Sequence, residues 1–319
     1  MTYAQFGTIQ AADFNALAGG DPVTTSGTLN AVWATGGSDK GYGQTALANV
    51  AVGQTVAAVG QWVTLVANTA SAATHQGTSI TSVTAPAAGG AITYLSAIPT
   101  NLTTIYTSRL NAASQGGAVS NTATAGSSWS NIATFTHTVT FANGDAARYF
   151  FNSGGQIKVQ CAHPAGTGIN LLFNNLASNV GTVTLSAPTS GTITVGGVSY
   201  NGVTKIGGGG TAPNVYLTNN GYYALTTSNA TVFNQQASTG PANYNPNSKI
   251  YMNFKSNGTV GTHSDAGSVL TLYTVWDEIP DGLVVSTGSA VTVSAQVPES
   301  TNIANAWGTV SVTGTVAVV

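Results

Sequence analysis

Hydrophobic and polar residues alternate with a period of two from about residue 121 onward, a pattern that predicts β-strands. The predicted strands are residues 134–142, 147–152, 156–161, 182–187, 191–195, 198–201, 249–254, 269–276, 291–296 and 308–318. The sequences NSGG (152–155) and VGGV (195–198) are typical hairpin turns. Many short strands joined by such turns favour an antiparallel β-sandwich or jelly-roll-like fold.

In the first part of the chain the hydrophobic spacing is three and four, the period of an amphipathic helix. We predict helices over residues 11–18, 56–66 and 98–110, with Ser96 as the cap of the third, Pro99 in its first turn and Gly116-Gly117 at its end. No comparable pattern is evident later. The sequence therefore predicts a mainly β protein, with a smaller helix-containing attachment or oligomerisation region (1–117) and a β-sandwich-like domain (118–319).

Charged side chains are rare, and this narrows the classes of function. They make up 5% of the residues, with a net charge of −2, against about 25% in a typical soluble domain. A nucleic-acid binder needs clustered Lys and Arg, and a membrane span needs about 20 apolar residues; neither pattern occurs. The sequence therefore predicts neither nucleic-acid binding nor membrane insertion, and the hydrophobic content of 42% argues against disorder.

Three long runs, residues 41–108, 159–204 and 206–248, contain no charge at all. A surface without charge has little colloidal repulsion, so these runs indicate tight oligomerisation or assembly. A monomer with a neutral polar coat is the alternative. The first ten residues lack the basic and apolar segments of a secretory signal, and the single Cys161 gives no disulfide framework.

Four groups of residues are candidates for chemistry, and each has a simpler structural explanation. The acidic stretch WDEIPDG (276–282) lacks the spacing of an EF-hand, and the adjacent HSD (263–265) cannot converge as a catalytic triad. The run KIGGGG (205–210) is out of order for a phosphate-binding loop, and Cys161 and His163 have no evident third partner. We therefore predict no catalytic residues, no metal site, no cofactor and no enzymatic activity.

Aromatic side chains are the remaining candidates, because they can stack on sugar rings. Trp62 and Trp276 fit core positions, whereas Tyr223 and Tyr244 lie in polar, loop-like surroundings and are the predicted ligand-binding residues. Arg148 and Lys158 flank apolar runs and are interpreted as gatekeepers against edge pairing, or as plain solvent-facing residues.

Five stretches resemble one family. They are LNAVWATGGSDKGYGQTAL (29–47), THQGTS (74–79), IYTSRLNAASQG (105–116), GDAARYFFNSGGQIKV (144–159) and NNGYYALTT (219–227). Together they resemble tailed-bacteriophage virion proteins that are described as tail-fibre or structural proteins, and residues 144–159 are the most specific element. The resemblance implies a virion component and a symmetric homo-oligomer, with a trimer as the first expectation.

The sequence and the resemblance together lead to one expectation and two alternatives. We expect a non-enzymatic structural component of a tail, baseplate or neck, of fibre type, taking part in assembly or host attachment. Such a protein would fold in the host cytoplasm, be released by lysis, and contact itself and other virion proteins. The alternatives are a capsid decoration or head-fibre protein and a receptor-recognition protein that binds host surface glycan. A depolymerase ranks last, because the chain has only nine acidic residues.

Overall fold

The structure is a computed structural model that describes residues 11–23, 25–51, 58–87, 96–210, 214–237, 247–279 and 282–319. Its strands are β1 (Gln115–Thr124), β2 (Ile132–Thr140), β3 (Gln156–Ala162), β4 (Thr182–Leu185), β5 (Ile193–Val195), β6 (Val198–Tyr200), β7 (Val203–Ile206), β8 (Val215–Leu217), β9 (Ala230–Gln236), β10 (Lys249–Ser256), β11 (Val269–Asp277), β12 (Ala290–Pro298) and β13 (Ser311–Val318). Its α-helices are α1 (Ala11–Ala18), α2 (Leu29–Trp33), α3 (Val63–Gln76), α4 (Ala97–Thr107), α5 (Gly144–Asn152) and α6 (Ile169–Val180). The predicted mainly β fold class is confirmed.

Two antiparallel sheets form the β part of the molecule. The first has five strands in the order β1-β12-β3-β4-β7, and the second has six in the order β13-β2-β11-β10-β9-β8. The short strands β5 and β6 form a separate hairpin. The edge strands β1 and β13 lie against each other, since a Cβ on Gly314 would come within 2.5 Å of Oδ1 of Asn121.

Alternation along β2 shows how the sequence divides each sheet into two faces. Ala133, Phe135, His137 and Val139 are buried, while the threonines between them are half-buried. The second sheet thus has an apolar inner face and an outer face of hydroxyl groups, which include those of Thr134, Thr136, Thr138 and Thr140. This is the pattern expected of an antiparallel sheet with one face on the core.

Helix α6 fills part of the core beside β3, β9 and β10. The Phe173 ring lies 5.0 Å from that of Trp129 and is stacked 5.8 Å from that of Trp276. The hydrophobic spacing of α6 is helical, and the prediction that helices occur only before residue 117 is wrong. The core assignments of Trp62 and Trp276 agree with their burial.

The strand predicted at residues 147–152 is also wrong, because these residues form most of α5. Oδ1 of Asn143 accepts a hydrogen bond from the backbone N–H of Ala146 at 2.8 Å, which caps the helix. The aromatic run that suggested a strand packs inside: the rings of Phe150 and Phe151 are 5.1 Å apart, edge to face. Residues 152–155 end this helix and form no hairpin.

The N-terminal helices agree only in part with the predicted bounds. Helix α1 has the predicted bounds. Residues 56–57 of the second predicted helix lie outside the described residues, and α3, preceded by a π-helical turn at Ala58–Trp62, continues to Gln76, ten residues beyond the prediction. Ser96 makes no side-chain cap, α4 ends at Thr107, and Gly116 and Gly117 belong to β1. Helix α2 was not predicted; it has only five residues. The division into domains at residue 117 stays a prediction.

Candidate functional site

Residues 144–159, the stretch with the most specific family resemblance, form a structural anchor for the loop at residues 35–41. The buried guanidinium of Arg148 in α5 donates hydrogen bonds to the carbonyl oxygens of Lys40 (2.7 Å) and Thr35 (2.8 Å) and to Oδ1 of Asp145 (3.0 Å). Arg148 therefore holds the loop at residues 35–41 on the sandwich. It is not the gatekeeper of an edge strand that the sequence suggested.

Tyr223, one of the two predicted ligand-binding residues, takes part in the same anchor. Its hydroxyl lies 2.6 Å from Oδ1 of Asn152 and 2.8 Å from the carbonyl oxygen of Ser38. Nδ2 of Asn152 in turn lies within 3.2 Å of the carbonyl oxygens of Ser38, Lys40 and Gly41. Burial raises the pKa of Tyr223 well above its usual value of 10.0. The hydroxyl is thus used in contacts within the protein, and the ring of Tyr223 is the part that a ligand would contact.

The Tyr223 ring lines a cleft of about 650 Å³, a size usual for ligand sites. Four segments form the cleft: the loop at residues 38–39, the end of α4 with residues 107–111, the loop at residues 188–193, and residues 260–262 beside Tyr223. Hydroxyl groups dominate the lining, and those of Thr107, Ser108, Thr189, Ser190, Thr192 and Thr262 belong to it. The cleft therefore offers mainly neutral hydrogen-bonding groups.

Asp39 and Arg109, which both line the cleft, form an ion pair. The Arg109 guanidinium donates to both the side chain and the carbonyl oxygen of Asp39, and Nζ of Lys40 donates to Oδ1 of Asp39 at 2.8 Å. Burial raises the pKa of Asp39, but these hydrogen bonds and charges outweigh it and lower the pKa below 3.8. Asp39 is therefore held as a carboxylate paired with two cations, which suits binding rather than proton transfer.

The other predicted candidates either make contacts within the fold or lie outside the described residues. Tyr244 and Asp281 lie outside the described residues; Asp277 pairs with Lys249 at 3.3 Å. His263 and Ser264 contact Asp145 through Nδ1 and the backbone N–H, and no triad forms. Within the described ranges, no group of three His, Cys, Asp or Glu residues could hold a metal ion.

The glycine-rich run and the Cys161–His163 pair also serve structure. Nζ of Lys205 donates to the carbonyl oxygens of Gly207 and Gly209 at 2.8 and 3.0 Å, which closes the loop on itself. The His163 ring nitrogens lie 3.0 Å from Oγ of Ser289 and 3.2 Å from Oδ1 of Asn170. Burial raises the pKa of the Cys161 thiol far above its usual value, which disfavours the reactive thiolate.

Sequence reasoning missed the outer face of the first sheet. Lys158 lies on β3, the central strand, and not on an edge. A second groove, of about 300 Å³, runs over this face beside Lys158. Alternation along β3 could have assigned Lys158 to the outer face, but its neighbours come from strands far along the chain.

Comparison of the chain with models of known protein families, with curated proteins and with solved structures found no match. In the part of the chain that the structure describes, no helix has both the length and the apolar character needed to cross a lipid bilayer.

Proposed function

We propose that this chain is a non-enzymatic structural component of a tailed-phage virion, of fibre type, in the tail, baseplate or neck. It would assemble with copies of itself, with a trimer as the first expectation, and contact other virion proteins. The resemblance of residues 144–159 to such proteins suggests the virion.

The edges of the two sheets carry the proposal of assembly. Strands β1 and β13 are adjacent edges of the sandwich, and neither contains a charged residue or an internal proline. Residues 117–120 of β1 are exposed on both faces, and Val119 is 39% exposed. Proteins that stay apart in solution protect such edges with charges, prolines or a covering element. β1 and β13 contact each other at Asn121 and Gly314, but residues 117–120 of β1 are exposed, and this uncharged stretch supports a protein whose neighbours cover it.

The first test is the mass of the purified protein, measured by size-exclusion chromatography with light scattering. A trimer of the 31.9 kDa chain would have a mass of about 96 kDa. A charge placed on the edge by Val119→Lys should shift this mass toward 31.9 kDa, whereas Thr138→Lys on an outer face should not. A monomer for the unchanged chain would contradict self-assembly.

The location is tested separately, by immunogold labelling of purified particles. Label on the tail, baseplate or neck supports the proposal, and label on the capsid supports the decoration or head-fibre alternative. Absence of the protein from particles would overturn both.

A second candidate function is recognition of a host glycan, which the neutral, hydroxyl-lined cleft beside Tyr223 favours. A bulky side chain at the exposed Ser190 would fill the cleft without removing an observed hydrogen bond. Ser190→Trp should abolish binding of the fluorescently labelled chain to host cells. Ser228→Trp, at an exposed loop position outside the cleft, should leave this binding unchanged. Equal binding by both variants would exclude this site.

A further inference from the structure

The strand register places one cation in the middle of a row of hydroxyl groups. Across the outer face of the first sheet, Ser120, Ser294, Lys158, Thr184 and Thr204 are matched in order on β1, β12, β3, β4 and β7. Each of the four residues around Lys158 has a hydroxyl group. The row thus presents a single ammonium group between neutral hydrogen-bonding groups.

The next row continues the polar face. Thr122, Thr292, Gln160 and Thr182 are matched on β1, β12, β3 and β4. Hydroxyl pairs connect β1 to β12, at 2.7 Å between Ser120 and Ser294 and 2.8 Å between Thr122 and Thr292. Nε2 of Gln160 donates to Oγ1 of Thr182 at 3.1 Å, so the side chains around the centre are held in place.

These two rows border the groove of about 300 Å³. Its lining comprises Ala118, Lys158, Gln160, Thr182, Thr184, Tyr200, Ile206, Ser294 and Gln296. Tyr200, from the β5–β6 hairpin, borders the groove with a side chain that is mostly buried. A concave site with one charge and several neutral donors and acceptors is typical of small-ligand binding.

Lys158 lacks the partner that such a charge normally has. Among the described residues, no carboxylate lies within 4.0 Å of Nζ, and the nearest acceptors are Oε1 of Gln115 at 3.4 Å and of Gln296 at 3.5 Å. A charge-assisted hydrogen bond to oxygen is normally about 2.7–2.9 Å long. Burial without a compensating anion lowers the pKa of Lys158. An added anion would therefore gain a direct contact with a partly desolvated cation.

Thr184 gives a second, independent indication that the groove binds a polar ligand. Its side chain is 1% exposed, and Oγ1 has no hydrogen-bond partner within the described part of the chain. Buried polar atoms are normally paired, and leaving one unpaired costs about 1–3 kcal/mol. Thr184 lies directly across from Lys158, so one ligand could contact both.

We propose that this groove binds a saccharide bearing a carboxylate, with the carboxylate on Lys158 and the ring hydroxyls on the surrounding hydroxyl and amide groups. A single ammonium group matches a single acidic substituent. The neutral groups on either side match sugar hydroxyls. The site is distinct from the Tyr223 cleft and does not rest on the proposed virion function.

The test compares three small probes by NMR titration of the whole chain: sodium D-glucuronate, D-glucose and sodium acetate. We expect glucuronate to bind at least tenfold more tightly than either of the others, because only glucuronate has both the carboxylate and the ring hydroxyls. Lys158→Gln should reduce its affinity to that of glucose. Lys255→Gln, which removes an outer-face lysine from β10 of the other sheet, should leave it unchanged.

The same titration contains the results that would overturn the proposal. Acetate as tight as glucuronate would mean a plain anion site, and glucose as tight as glucuronate would mean that Lys158 plays no part. Unchanged glucuronate affinity in Lys158→Gln would exclude the groove. Thr184→Val, which keeps the shape of the side chain, provides a second check: it should weaken glucuronate binding, and a circular-dichroism melt of each variant confirms that it is folded.

Discussion

Nδ1 of His75, near the end of α3, lies 2.9 Å from Oε1 of Glu299, which directly follows β12. The pair is buried and connects residues 224 positions apart. Glu299 also accepts hydrogen bonds from the backbone N–H groups of Thr301 and Asn302. The N-terminal helices are therefore fastened to the sandwich by polar contacts as well as by apolar packing.

This contact predicts a loss of stability in acid. Burial raises the pKa of Glu299, but its hydrogen bonds, first that from His75, outweigh burial and lower the pKa from 4.5 to about 2. A carboxyl group with a lowered folded-state pKa stabilises the fold above its unfolded pKa, and this contribution is lost as the pH falls from about 4.5 to about 2. Burial also lowers the pKa of His75, which favours the neutral ring as the hydrogen-bond donor.

We expect Glu299→Gln to flatten the pH dependence of the unfolding free energy between about pH 4.5 and 2. It should also lower the free energy of unfolding at pH 7 by about 1–3 kcal/mol, since His75 loses a charged acceptor. Urea denaturation at several pH values measures both effects. Asp277→Asn, at a half-exposed pair with Lys249, is the matched control and should keep the acid dependence. A Glu299→Gln profile that parallels the unchanged chain would refute the assignment.

Arg148 predicts a large stability effect. Its 0% exposed side chain donates to two backbone carbonyls of the loop at residues 35–41 and to Asp145. Arg148→Met removes a donor from the carbonyl oxygens of Thr35 and Lys40 and the buried cation that pairs with Asp145, and should lower the unfolding free energy by about 3–5 kcal/mol. Arg148→Lys should rescue little, because an ammonium group cannot reproduce the planar fork. Denaturation midpoints would show this, with Lys255→Met as control; full rescue by lysine would contradict it.

Gly314 predicts that the contact between β1 and β13 tolerates no side chain. A Cβ there would lie 2.5 Å from Oδ1 of Asn121 and 2.6 Å from Nε2 of His137. We expect Gly314→Ala to lower the unfolding free energy by about 1–3 kcal/mol, as overpacking does. Gly117, in β1, has open space around its Cβ position and negative φ, so Gly117→Ala is the matched control and should be near neutral. Equal thermal midpoints for the two variants would show that the strands can move apart.

The contacts of Tyr223 predict that its hydroxyl stabilises the fold, whereas its ring lines the cleft. Tyr223→Phe keeps the ring that lines the cleft but removes the hydroxyl that contacts Asn152 and Ser38, and should cost about 1 kcal/mol of unfolding free energy. Tyr216→Phe, at a side chain 52% exposed, should have no measurable effect. Urea denaturation of both variants distinguishes them, and equal stability would show that the hydroxyl contributes nothing to the anchor.

Strong alternation allowed the sequence to predict most long strands, because a strand half-buried in a sandwich imposes a period of two. The same reasoning failed at α5, where Tyr149, Phe150 and Phe151 have high strand propensity and the cap at Asn143 decides the structure. It failed at α6 for a different reason. The spacing of Ile169, Leu172, Phe173 and Leu176 is helical, but this segment lies between strands, whose period of two dominates this part of the sequence.

The candidate sites were less accessible to sequence reasoning than the strands. Tyr223 was predicted and does line a cleft, but the surrounding walls come from residues near positions 38, 108, 190 and 261. The groove around Lys158 depends on the register of five strands whose order differs from their order in the chain. Register is a property of tertiary pairing, which hydrophobic periodicity alone does not specify.

The threonine face of the second sheet has a consequence for the solvents that the protein tolerates. Its hydroxyl groups, which include Thr134, Thr136, Thr138 and Thr140, bind water through hydrogen bonds and carry no charge. The Debye length falls from about 30 Å at 0.01 M salt to about 3 Å at 1 M, which changes interactions between charges but not hydroxyl hydration. This surface should therefore be wetted equally well in fresh water and in brine.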